Sequence, residues 1–357
     1  MGKKMNLPIF GSRDNTLLGI DIGTSSLKVV ELSSSGSSMK VVSAGSAMLP
    51  PDLIQDGKIS DSVALGNILR KAMASSRTKA KNVAFSVPGS AVITRVIDMP
   101  AGLSDDELEI QLLMEAEQYI PYSLDEVAVD FTTLGTNEEG DQVQVLLAAC
   151  RKDTVDSLVE VAESADLKAK IVDVETFCLE RAYPLIAEQF EGDSDSLIAV
   201  VDIGAVHMRF NVLDRGKIVY SREEMFGAGQ LTDEIQRRYG LSKEEAGVAQ
   251  VEGGLPVDYE EEVLEPFRSS LVQQVNRALQ FFYSSTTYNH VDCLVLAGGV
   301  VSDDRLASMT EAKIEVPVLA ANPFANMRVD DKVNGRVLDA AAPAMLIATG
   351  LAMRGLS

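Results

Sequence analysis

The sequence predicts a duplicated α/β protein whose two lobes face one cleft. Three observations carry the prediction. Leu18-Gly19-Ile20-Asp21-Ile22-Gly23 recurs 181 positions later as Ala199-Val200-Val201-Asp202-Ile203-Gly204. Both copies continue in parallel, Lys28 matching Arg209 and Leu32 matching Leu213, through alternating apolar residues into a turn at Ser35-Gly36-Ser37 or Asp214-Arg215-Gly216. The chain has 357 residues, too long for one ordinary core and long enough for two.

The alternation makes each copy a β-hairpin, followed by further strand pattern at Val41 to Met48 and Ile218 to Met225. The expected organisation is an N-terminal segment (1–16), a first half (17–195) and a second half (196–357), with the boundary near Glu191 to Ser196. Extra material, at about 83–170, reads as a small α+β insert in the first half. Strands are expected at Val83 to Val87 and Ala91 to Met99, split by Pro88-Gly89. Ser104 and Glu107 form a capping box for a helix from Asp105 to Tyr119, before Pro121. Strands follow at Val127 to Leu134 and Val143 to Cys150 across the turn Asn137 to Asp141, and Asp153 is expected to cap a helix carrying Val155, Leu158, Val159 and Ala162.

In the second half a helix from Leu231 to Tyr239 ends at Gly240, and Ser242 with Glu245 caps the next. Phe267, Leu271, Val275, Ala278 and Phe282 recur at helical spacing between Pro266 and Ser284, as a core face does. A strand from Cys293 to Ala297 runs into Gly298-Gly299, another is expected at Pro317 to Leu319, and Pro343 opens a last helix to Met353.

Composition narrows the function. Hydrophobic residues are 46% and charged residues 24%, a globular balance. With 32 basic and 53 acidic residues the formal charge is −21, which repels phosphate backbones, so nucleic acid is not an expected partner. The opening segment Gly2 to Arg13 sets Lys3, Lys4 and Arg13 around Leu7, Ile9 and Phe10, and reads either as a frayed end or as a stretch that touches a membrane surface. Cys150, Cys178 and Cys293 form no close pair and lie in apolar sequence, as buried thiols of a reducing compartment do. The longest apolar stretch, Ala340 to Met353, is interrupted by Pro343 and Gly350, and no apolar signal region precedes the first strand. A cytoplasmic location is therefore expected.

The paired hairpins point to phosphate. Asp-x-Gly sets a carboxylate at the end of a buried strand and a glycine where the chain turns without a Cβ. Thr24, Ser25 and Ser26 then offer successive N–H groups and hydroxyls, and Lys28 adds charge if it faces inward. Asp21 and Asp202 on opposite walls cannot both face a polyphosphate without a cation between them, and magnesium fits that need. Gly298-Gly299 after a strand lets an adenine or ribose lie against backbone. No P-loop run occurs, and His207 and His290 lack metal-ligand spacing with cysteine, which argues against zinc.

These motifs resemble the actin, heat-shock chaperone and sugar kinase superfamily, with Asp21 to Lys28 and Asp202 to Arg209 as its two phosphate motifs and Leu296 to Val300 as its adenosine motif. Ala116 to Tyr122, Leu146 to Lys152, Gln230 to Leu241 and Ala321 to Ala325 are similar to the FtsA-like PilM family of type IV pilus assembly. The resemblance implies an actin-like (ribonuclease H-like) fold with an FtsA-type inserted subdomain, ATP and Mg2+ as cofactors, and at most weak ATPase activity. It implies an adaptor for pilus assembly and twitching motility, peripheral at the inner membrane. Such an adaptor binds the N-terminal cytoplasmic tail of PilN and, through it, reaches PilO and the motor ATPases.

Carried onto this chain, the resemblance assigns Asp21, Gly23, Thr24, Ser25 and Lys28 to the outer phosphates, with Asp202 and Gly204 on the other wall. It gives Gly298 and Gly299 to the nucleoside, Gly227 and Gly229 to the ribose and α-phosphate turn, and Lys243 and Glu244 to the adenosine-contacting helix start. Asp21 and Asp202 are the expected magnesium ligands through water, and Glu175 is the residue expected to position an attacking water, unless it only complements its helix dipole. One departure stands out: Ala205-Val206-His207 lacks the small hydroxyl residues of more active relatives, so hydrolysis is expected to be weak or absent. A small-molecule kinase and a head-to-tail filament former are the alternatives left open.

Overall fold

The computed structural model describes residues 17–36, 38–55, 57–190, 196–301 and 304–356. The opening segment and most of the expected boundary at 191–195 lie outside the described residues.

The first lobe is built on the hairpin β1 (Leu17–Ile22) and β2 (Ser26–Ser35), extended by β3 (Ser38–Met48). A short ribbon, β4 (Ile54–Gln55) and β5 (Lys58–Ile59), leads to α1 (Ser62–Ser76), whose N-cap is Asp61. After β6 (Asn82–Val87) the chain leaves the lobe for β7 (Val92–Pro100), α2 (Asp105–Ala116), β8 (Val127–Thr136) and β9 (Gln142–Arg151). It returns through α3 (Lys152–Ser164) to β10 (Lys168–Val174). Then α4 (Glu175–Ala187) carries it to the second lobe.

That lobe repeats the plan with β11 (Leu197–Ile203), β12 (Met208–Asp214) and β13 (Lys217–Glu224). Helices α5 (Gly229–Tyr239), α6 (Lys243–Glu252) and α7 (Glu265–Ser285) follow. The chain continues with β14 (Cys293–Gly298), α8 (Asp304–Ile314) and β15 (Val318–Ala320). It ends with β16 (Arg328–Val329), α9 (Gly335–Ala341) and α10 (Leu346–Ala352).

The first sheet has the order β10-β6-β1-β2-β3-β16 and the second β13-β12-β11-β14-β15, each mixing antiparallel hairpins with parallel central strands. Strands β1 and β11 are apolar almost throughout because both faces are covered. One face of the first sheet packs Leu18, Ile20 and Phe85 against Leu65, Leu69, Leu158 and Val161 of α1 and α3. One face of the second packs Phe210, Val212 and Leu296 against Leu271, Val275 and Phe282 of α7. Leu179, Ala182 and Ile186 of α4 pack under Ile198 and Val200, while Cys178 at the start of α4 packs with Ala84, Ile171 and Leu351. Helices α4 and α10 therefore serve both lobes.

That sharing corrects the expected domain boundary. The chain does not stay in its second half after residue 196: β16 pairs with β3, and Phe324, Leu338, Met345 and Ala348 pack on Val30, Leu32 and Val41 of the first lobe. The bounds of the insert change too. Strand β6 lies between β1 and β10 in parallel register, and α3 packs in the first lobe's core, so neither belongs to a separate unit. The element that stands apart is the sheet β7-β9-β8 with α2, whose Leu108, Leu112 and Ala116 pack on Val145, Leu147 and Ala149.

Both expected capping boxes are present, at Ser104/Glu107 and Ser242/Glu245. Asp153 is not an N-cap. It lies inside the first turn of α3, where its charge complements the helix N-terminus and Arg151 binds it at 3.0 Å. The helix expected to reach Tyr119 stops at Ala116. Cys150, Cys178 and Cys293 are buried free thiols. Among the described residues no single helix is long and apolar enough to cross a membrane; the apolar C-terminal stretch bends by 98° between α9 and α10.

Candidate functional site

The two hairpin turns, at Gly23 to Ser26 and Gly204 to His207, meet in a cleft of about 590 Å³ between the lobes. Each is closed by the same bond, the glycine N–H donating to a carbonyl three residues on, Gly23 to Ser26 and Gly204 to His207. That bond leaves the N–H groups of Thr24, Ser25, Ala205 and Val206 outside the closing contact. Asp21 and Asp202 are the next-to-last residues of the strands that precede the turns, and both line the cleft.

Strand register places a cation opposite each aspartate, Lys28 beside Asp21 and Arg209 beside Asp202. Lys28 Nζ lies 3.1 Å from Asp21 Oδ2, with the lysine side chain 17% exposed, so Lys28 faces into the cleft. Burial pulls its pKa down, but the charge and hydrogen bond of Asp21, with the charges of Asp202 and Glu175, hold it above the ordinary value. Arg209 is within ion-pair distance of three carboxylates: Glu223 at 3.0 Å, Glu175 at 3.3 Å and Asp202 at 3.6 Å.

Glu175 opens α4 and lines the cleft between the lobes. Burial, helped by the repulsion of Asp21, Asp202 and Glu223, pushes its pKa up to about 7 against the attraction of Arg209. Burial also raises the pKa of Asp202, against the pull of Arg209 and Lys28. Glu175 Oε2 and Ser86 Oγ are buried without a hydrogen-bond partner, and both residues line the cleft. Four carboxylates and two cations converge here. Such a set suits a ligand that carries both a metal cation and anionic oxygens.

The chain matches the family model of type IV pilus assembly protein PilM over residues 19–356. It belongs to the PilM family. Its fold is similar to the solved PilM-PilN type IV pilus biogenesis complex, at 30% identity and a TM-score of 0.76, covering 97% of this chain and 100% of that one. It is also similar in fold to the ethanolamine utilization protein EutJ from Carboxydothermus hydrogenoformans, at 15% identity and a TM-score of 0.56, covering 98% and 95%. The PilM-family fold seen here is the actin-like one, duplicated around its cleft.

Within this PilM-family cleft lie Asp21, Gly23, Thr24, Ser25, Lys28, Glu175, Asp202, Gly204, Gly298 and Gly299. Gly298 sits at φ +108°, and a Cβ there would be 2.2 Å from the Ile203 carbonyl oxygen. Gly299 differs: a Cβ would meet no atom within 4 Å, so the fold leaves open space over it. Gly227 and Gly229 do not line the cleft. They pack the chain under the second turn, where a Cβ on Gly227 would be 2.5 Å from the Ala205 carbonyl oxygen and Gly229 N–H donates to that oxygen at 2.7 Å. The neighbour between them, Ala228, does reach the cleft. Lys243 and Glu244 are exposed at the start of α6 and are not among the lining residues.

Sequence reading missed Ser86, Glu223 and the weight carried by Arg209. Only Arg209 left a signal, its match to Lys28 in the repeat. Glu223 faces the cleft through the β12–β13 register and Ser86 through a parallel pairing, and neither register is written in local pattern.

The residues fit a magnesium nucleotide. The two glycine turns, the open floor at Gly299, the inward cations and the Glu175 oxygen that accepts no hydrogen bond match the needs of a polyphosphate with its metal. Among the described residues no three acidic, histidine or cysteine side chains are grouped to hold a metal on their own, so phosphate oxygens and water would complete the shell.

Proposed function

We propose that this chain is an ATP-binding adaptor of the type IV pilus machine that holds the N-terminal cytoplasmic tail of PilN. The supporting observation is the match of residues 19–356 to the PilM family model, together with the match of 97% of the chain to a chain of the PilM-PilN complex at 30% identity. Through PilN the adaptor connects PilO and the membrane platform to the motor ATPases in pilus assembly and twitching, and so lies at the inner membrane without spanning it. Its acidic surface, with a formal charge of −21, suits the basic flanks of membrane proteins on the cytoplasmic side.

In this reading the cleft takes magnesium ATP. Thr24 and Ser25 offer N–H and hydroxyl donors to the outer phosphates, Lys28 supplies charge, and Gly204 lets the opposite backbone approach. Asp21 and Asp202 would hold the metal through water, and the metal would supply charge neutralisation to the phosphates. Gly298 and Gly299 form the floor for the nucleoside. Glu175 orients a water. Binding dominates over turnover because Ala205, Val206 and His207 bring no hydroxyl to the second turn.

Closing two lobes that share α4 and α10 alters the surfaces of both, which makes the nucleotide a regulator of the tail site. Calorimetry of a synthetic PilN tail peptide against the protein, with and without magnesium ATP, tests the proposal. Tail binding that tightens or weakens with nucleotide is expected. Absence of tail binding defeats the adaptor, and equal affinity in both states defeats the regulation.

A further inference from the structure

We propose that Arg209 is the second lobe's phosphate clamp, and that it works by exchanging Glu175 for a phosphate oxygen when nucleotide enters. The inference deepens the nucleotide reading of the cleft and rests on it. It starts from the duplication. In the first lobe the cross-strand ladder reads Asp21, Lys28, Ser46; in the second it reads Asp202, Arg209, Glu223. The two cations hold equivalent places, but their surroundings differ. Lys28 has one carboxylate at ion-pair distance, whereas Arg209 has three.

Three carboxylates around one guanidinium leave an excess of negative charge in a half-buried site, which is costly unless a group protonates or another cation arrives. The excess falls on Glu175. Its Oε2 lies 3.3 Å from Arg209 Nε without the alignment of a hydrogen bond, whereas Glu223 accepts a hydrogen bond from that Nε at 3.0 Å. The raised pKa of Glu175 fits the same excess. Arg209 therefore gives its Nε–H to Glu223 and meets Glu175 by charge alone, and neither Nη1 nor Nη2 donates a hydrogen bond to any of the three carboxylates. A guanidinium that lines the cleft two residues beyond the second glycine turn and gives a single hydrogen bond, from Nε, is suited to a bidentate contact with phosphate through its other nitrogens. The clamp also stands in for the hydroxyls that Ala205 and Val206 do not provide. Because Glu175 opens α4, which packs in both lobes, releasing it ties phosphate binding to that shared helix.

Calorimetry with magnesium ATP and with adenosine tests the clamp on the wild-type protein, Arg209→Gln, Arg209→Lys, Glu175→Gln and the Arg209→Gln/Glu175→Gln pair, each checked for native thermal unfolding. Arg209→Gln is expected to weaken magnesium ATP at least tenfold and adenosine less than twofold, with Arg209→Lys recovering part of the loss. Glu175→Gln is expected to tighten magnesium ATP several-fold, and that gain is expected to vanish in the double variant. An Arg209→Gln protein that binds magnesium ATP like wild type overturns the clamp. So does a Glu175→Gln gain that persists undiminished in the double variant, because Glu175 would then act on the ligand by charge alone. If Arg209→Gln fails to fold, the Arg209→Lys and Glu175→Gln pair carries the same cycle. Wild-type protein that binds neither magnesium ATP nor adenosine removes the nucleotide reading and the clamp together, an outcome recognisable before any variant is measured.

Discussion

The Lys28 ammonium lies 3.1 Å from Oδ2 of Asp21, directly across the β1–β2 pair, at the mouth of the first turn. Asp21 and its neighbours keep that buried amine charged. Lys28→Met should therefore weaken magnesium ATP binding by roughly 10- to 100-fold, the value of one charged hydrogen bond to phosphate. Asp21→Asn should act on the metal instead: ATP affinity measured with magnesium and with a chelator should become nearly equal. An Asp21→Asn protein whose affinity still rises strongly with magnesium would assign the metal to other groups.

Gly298 and Gly299 separate fold from ligand in adjacent residues. At Gly298 an alanine would combine a φ of +108° with a Cβ 2.2 Å from a carbonyl oxygen, and a loss of about 3 kcal/mol or more is expected in denaturant titration. Gly299→Ala meets nothing within 4 Å and should change stability by no more than about 0.5 kcal/mol. Its nucleotide affinity should nevertheless fall, since the added methyl occupies the open floor. Unchanged affinity would place the nucleoside elsewhere.

Much of this fold is local enough to be written in the chain. The twin hairpins follow from Asp-x-Gly and the alternation that runs on from it, and the two capping boxes follow from Ser and Glu three residues apart. What is not local was misjudged. Strand β6 is a short buried run whose parallel partners, β1 and β10, lie far off in sequence, so pattern could not show which sheet it joins. Asp153 has the chemistry of a cap, but the helix starts at Lys152 with Arg151 in the cap position, which leaves Asp153 inside the first turn. Of the candidate site, the residues on the strand-ending turns reached the cleft, because the turn itself aims them. Gly227, Gly229, Lys243 and Glu244 did not, since their expected place depended on family likeness and on loop paths that local pattern does not fix.

Glu175 should give the nucleotide-free protein a pH-dependent stability. Its carboxyl titrates at about 7 in the native state against an ordinary value of 4.5, so between those limits the native state binds more proton than the unfolded chain. Stability then falls as pH rises through that window, and the loss is complete above it. Glu175→Gln removes the titration. The variant should match wild type near pH 4.5 and exceed it by up to about 3 kcal/mol at pH 8, read by denaturant unfolding without magnesium. A stability gap of the same size at both pH values would mean that Glu175 is ionised throughout.

The spacing of the lobes depends on helix crossings at two glycines. A Cβ on Gly350 of α10 would lie 2.1 Å from the Cys178 carbonyl oxygen of α4, and a Cβ on Gly19 of β1 would lie 2.1 Å from the Ala348 carbonyl oxygen of α10. Neither backbone can give way without moving α10 from the sheet or from α4. Gly350→Ala should therefore cost at least about 1–3 kcal/mol by overpacking, with native spectra retained at low temperature. Gly247→Ala is the counterpart inside α6, where a Cβ meets nothing within 4 Å, and it should stabilise the protein by roughly 0.5–1 kcal/mol. Opposite shifts of the denaturation midpoint are the expected result. A Gly350→Ala protein as stable as wild type would mean that α4 and α10 can separate freely, and the shared helices would then be poor carriers of any signal between cleft and tail site.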